Sequence, residues 1–150
     1  MKKLSTFLIA LLIAQFSFAQ TFITEDFSST TFPPNGWTIE GVPGQWSRSA
    51  TANAGGDAPE AKFSYINQNT TSRLISPVID LSGVSSATVN FNHFYDHYAN
   101  GVSIGVATRS GGGAWQVAWQ VTPTGNVGPL VQAVELTGVE AADFQFSIFI

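Results

Sequence analysis

A chain of 150 residues with 44 % hydrophobic and only 11 % charged side chains is long enough for one domain with a real core and too apolar to be disordered. Six basic residues against ten acidic ones leave a net charge of −4, which disfavours nucleic acid and anionic lipid as partners. The absence of cysteine excludes disulfide staples, a cysteine nucleophile and a cysteine-linked lipid anchor.

At the start, Lys2 and Lys3 precede an apolar run over residues 7–14 that is too short to span a bilayer. Ser17-Phe18-Ala19 then places small residues at the two positions a signal peptidase reads. Residues 1–19 therefore read as a secretory signal peptide, and residues 20–150 as the exported domain, with no membrane span once the leader is removed. Cleavage takes away two lysines and no acid, so four basic against ten acidic side chains leave the mature chain at −6.

The domain opens with Phe22 and Ile23 before the acid pair Glu25-Asp26. Phe32-Pro33-Pro34-Asn35-Gly36 is a loop, because paired prolines and Asn-Gly exclude regular structure. Short strands are expected at 37–40 and 45–48, and another at 61–65 after the small-residue loop 51–59. The stretch 72–98 is the centre of the pattern and reads as two strands joined by a short turn. Leu74 and Ile75 form a strand ended by Pro77, which cannot donate to a ladder. Asp80, Ser82 and Gly83 supply turn chemistry. From residue 87 on, Ala87, Val89 and Phe91 alternate with Thr88, Asn90 and Asn92, the period of a strand with one buried face.

Val102, Ile104 and Val106 alternate in the same way. Ser110-Gly111-Gly112-Gly113 closes a hairpin onto Trp115, Val117 and Trp119, which also alternate. Strands at 130–136 and 144–150 bring the total to nine or ten at short spacing, with no amphipathic helix. That is the pattern of an antiparallel β-sandwich. The alternation is still running at Ile150, so a last strand, or a longer multidomain parent, is expected beyond it.

No catalytic constellation is legible, and the chain reads as a non-enzyme. His93-Phe94-Tyr95-Asp96-His97 has two histidines four apart, but it lacks the catalytic Glu of zinc proteases and continues a strand rather than a helix face. The glycines at 111–113 lack the Gly-Lys-Ser/Thr ending of a phosphate loop and precede a strand. No serine sits in a G-x-S-x-G elbow. Glu25, Asp26, Asp57 and Glu60 lie in or beside loops, where they are either solvated acids or oxygen donors to a hard cation, for which calcium is the candidate. Trp46, Tyr95, Tyr98 and Trp115 are either core or an aromatic surface on which sugars could stack, and Tyr95, Tyr98 and Trp115 are the ligand-binding candidates.

The ordered set EDFSSTTFPPNGWT, QWSR, NAGGDAPEA, SRLISPVIDLSG, ATVNF and GVATRSGGGAWQVAW resembles the secreted modules called cleaved adhesin or choice-of-anchor J domains, which are related in architecture to MAM domains. The resemblance covers about residues 24–150. It implies a jelly-roll β-sandwich secreted by, or on the outer surface of, bacteria of the Bacteroidota type. It further implies a non-catalytic adhesion module for an extracellular protein or glycan, or alternatively a carbohydrate-binding accessory to a larger secreted hydrolase or protease. Calcium held by Asp26, with Glu25 and Asp57, is implied in the same way. The acid pair that the family carries on a final strand is not in this chain.

Overall fold

The computed structural model describes residues 20–42 and 44–150; the leader read at residues 1–19 lies outside them. Among the described residues the chain is all-β. Its nine strands are β1 Thr38–Glu40, β2 Trp46–Ser49, β3 Glu60–Phe63, β4 Arg73–Ile75, β5 Ser86–Tyr95, β6 Ile104–Arg109, β7 Gln116–Val121, β8 Val127–Thr137 and β9 Gln145–Phe149. All pairings are antiparallel. One sheet has the order β1-β4-β9-β6-β7, and β2-β3 and β5-β8 form two-stranded sheets.

Register explains the core. Ile39, Leu74, Ile148, Val106 and Trp119 are successive cross-strand partners along one row of the five-stranded sheet, so period-two geometry puts them on one face. Ala87, Val89 and Phe91 on β5, with Val134 and Leu136 on β8, form the facing layer, and the two layers join in a single cluster with Trp37, Leu81, Phe144 and Phe146. Burying both apolar faces against each other is what makes the sandwich stable. Truncating the fully buried Leu74 or Leu81 would remove about 3 kcal/mol.

Two details differ from the sequence pattern. Strands β4 and β5 are not a pair joined by a short turn. Residues 76–85 carry the chain from one sheet to the other, with Leu81 plugged into the core and its N–H bonded to Ala141 O. Ser76, fully buried, fixes the departure: its Oγ accepts the Phe146 N–H at 3.0 Å and donates to Pro77 O. The second difference is in β7. Val106 faces Trp119 but Ala107 faces Val117, so Ala118 is an extra, bulged residue. The bulge splits the expected alternation: Trp119 enters the core beside Phe91, while Val117 and Trp115 fall on the outer face.

That outer face is the setting of the site. Its rows run Glu40–Arg73–Phe149–Gly105–Gln120 and Ile75–Ser147–Ala107–Val117, with Gln145 facing Arg109.

Candidate functional site

Where the outer face meets the turn over residues 66–71 and the loop over 101–103, the chain leaves a cleft of about 520 Å³. Its walls are Gln45, Phe63, Tyr65, Gln68, Asn69, Thr70, Thr71, Ser103, Gln120 and Phe149, with Ile66, Val102 and Ile150 as apolar floor. None of the side chains lining it is charged. The Ser103 hydroxyl accepts Gln120 Nε2 at 3.2 Å and shares a hydrogen bond with Thr122 Oγ1 at 2.7 Å, so one wall is a hydroxyl–amide chain. Gln45 is placed by the β2 and β3 backbones, its carbonyl accepting the Ser64 N–H at 2.8 Å, and it is only 4 % exposed. Its side-chain Oε1 is buried without a hydrogen-bond donor. A buried acceptor left unpaired costs on the order of 1–3 kcal/mol, so Gln45 carries a local stability cost beside the cleft.

Of the three tyrosines of the chain, Tyr65 lines the cleft and Tyr98 packs against it. Tyr98, 78 % exposed, packs on Tyr65 with ring centroids 5.0 Å apart and ring planes tilted by 43°. Tyr95 is buried at the end of β5, and burial, with the nearby Tyr65 adding, holds its hydroxyl above the ordinary pKa. Of the aromatic residues singled out in the sequence, Tyr98 thus meets the cleft only through Tyr65, and Tyr95 does not line it. Trp46 is core: its ring packs on Phe63 and its indole N–H donates to Ser72 Oγ at 3.1 Å.

Trp115 sits farther along the same face. Its half-buried ring carries the Arg109 guanidinium at 4.3 Å and the Arg73 guanidinium at 5.1 Å. Arg73 also lies 5.1 Å from the Phe149 ring, and Phe149 in turn lines the cleft, so the two regions are continuous. Glu40 closes the far side, 3.7 Å from Arg73 Nε and 3.4 Å from Trp115 Nε1.

The candidate cation ligands are dispersed. Glu25 Oε1 accepts the Phe27 N–H at 2.6 Å and Asp26 Oδ1 accepts the Ser28 N–H at 2.9 Å. These bonds bracket Phe27, whose φ of 57° is left-handed. The Ser28 bonds hold Asp26 below the usual carboxylate pKa. Glu60 organises the preceding loop. Burial opposes its ionisation, but the Thr51 hydroxyl and the Ala54 and Asn53 N–H groups outweigh it, so its pKa is lowered. Asp57 is exposed in that loop. Among the described residues no three His, Cys, Asp or Glu side chains converge.

Comparison of the chain with family models, curated proteins and solved structures finds no match. The site's residues therefore speak for themselves. Gln45, Tyr65, Arg73 and Arg109 were missed in the sequence. An arginine inside the apolar strand R-L-I, and another directly before the glycine turn, were the signals that could have marked the outer face.

Proposed function

We propose that the chain is an exported, non-catalytic binding module whose cleft beside Tyr65 receives a neutral stretch of glycan, giving adhesion to a glycan-bearing surface. The observation that carries this is the cleft's lining: hydroxyls, carboxamides, aromatic rings and the aliphatic Ile66, Val102 and Ile150, with no charged side chain among them. Sugars present hydroxyl donors and acceptors on one edge and a C–H face that lies on aromatic rings, so this lining matches them group for group. Export rests on the leader read at residues 1–19, and the cleaved-adhesin resemblance, with its jelly-roll winding, agrees with the same reading. Calcium is no part of this reading; Glu25 and Asp26 each accept an N–H two residues on, and Glu60 accepts those of Asn53 and Ala54.

The test is titration of the full chain with a panel of neutral oligosaccharides, repeated on Tyr65→Ala and Gln45→Leu. Loss of the stacking ring should weaken binding about tenfold or more. Gln45→Leu should weaken binding while raising stability by about 1 kcal/mol, since it deletes a buried unpaired acceptor. No binding across the panel, or binding indifferent to both changes, would contradict the proposal.

A further inference from the structure

The described residues carry four basic side chains, Arg48, Lys62, Arg73 and Arg109, against ten acids. Two of those four meet on one indole ring. Bringing two guanidinium groups together is unfavourable in itself, and the cost is visible at Arg73. Burial lowers its pKa, Glu40 opposes that, and the like charge of Arg109 adds to the lowering. Among the described residues Glu40 is the one carboxylate within ion-pair distance of the pair, and at 3.7 Å it meets Arg73 outside hydrogen-bond reach. Among the described residues Arg109 has no carboxylate within ion-pair distance; its Nε and Nη2 both donate to Gln145 Oε1, at 3.0 and 2.9 Å.

The pair is nonetheless held in place. Gln145 is fixed in turn by donating to Ser76 O, and Arg73 Nη1 donates to Ser147 Oγ at 3.3 Å. Both cations rest on the Trp115 ring, which orients them. Two guanidinium groups with one neighbouring carboxylate leave a net positive spot on a domain whose described residues carry four basic against ten acidic side chains, and guanidinium forks fit planar oxyanions well. Because Arg73 stacks on Phe149 and Phe149 lines the cleft, a chain molecule lying in the cleft reaches the pair without leaving the sheet face.

We infer that the glycan is acidic: its neutral part fills the cleft, and an oxyanion on a neighbouring residue is taken by Arg73 and Arg109 over Trp115. This rests on the cleft reading above and adds the charge class of the ligand.

Uronic-acid oligosaccharides, their neutral methyl esters and sulfated chains are titrated into the full chain. The free acids should bind about tenfold tighter than the esters at low salt. That gap should close as ionic strength rises from about 0.05 to about 0.5 M, a readout that needs no variant. Arg109→Gln should reduce the gap to within about twofold, whereas Lys62→Gln, which removes an exposed cation from β3, should leave it intact. Tighter binding of sulfated chains with the same dependence on Arg109 also supports the site, with sulfate as the oxyanion. Acid and ester binding equally, both lost in Tyr65→Ala, would overturn the acidic inference and leave the cleft standing. Failure of every sugar would overturn both. Arg109-dependent binding of poly-glutamate with no binding of sugars would replace the glycan by an acidic protein.

Discussion

His93 shows how a residue that invites a functional reading is explained by its surroundings. Its ring lies on the inner row of β5, 5.5 Å from Phe91 and 6.0 Å from Trp119, with both nitrogens buried and without partners. Burial therefore holds its pKa below the ordinary 6.5. The folded chain binds fewer protons than the unfolded one between that lowered value and 6.5. The contribution to stability is accordingly intact above 6.5, falls as pH drops through it, and levels off below the folded pKa. Thermal midpoints measured between about pH 7.5 and pH 5 should fall less in His93→Phe than in the natural chain. An equal fall would show that His93 takes up its proton as readily in the fold as in the unfolded chain. Gln45 is the opposite case, unremarkable in the sequence yet buried with an acceptor that has no donor.

At the level of elements, the outer sheet face depends on one missing side chain. A Cβ at Gly105 would lie 2.3 Å from Trp119 O and 2.5 Å from the Phe149 ring. The glycine thus provides the notch in which Phe149 lies, and Phe149 carries Arg73 and borders the cleft. Gly105→Ala should cost on the order of 3 kcal/mol in denaturant unfolding, because backbone as well as ring must move. A change of a few tenths would mean that Phe149 is free to leave.

The strands themselves were legible: period-two alternation located β5, β6 and β9, and the glycine turn located the β6–β7 hairpin. What alternation could not give was Ala118. A one-residue bulge leaves no mark in a pattern of large and small residues, yet it moves Trp115 and Trp119 to opposite faces. The link from β4 to β5 was misread for a related reason. Turn residues at Asp80, Ser82 and Gly83 signal a change of direction but not a change of sheet.

For the molecule as a whole, the cleft was invisible in the sequence because it is built from Gln45, the 66–71 turn, the 101–103 loop and β7, pieces that share no periodicity and meet only through the packing of two sheets. The fold class needed only alternation and turn chemistry; the site needed tertiary contacts. Whether a ligand occupies this cleft is decided by mapping amide and side-chain NMR shifts on the full chain as an oligosaccharide that binds is added. Occupation of the cleft should perturb the Gln45 carboxamide, Tyr65 and Asn69, and Ser103 and Gln120, extending to the Trp115 indole when the sugar is acidic. Perturbations confined to the β5–β8 sheet or the 51–59 loop, with the Gln45 resonances unmoved, would contradict it.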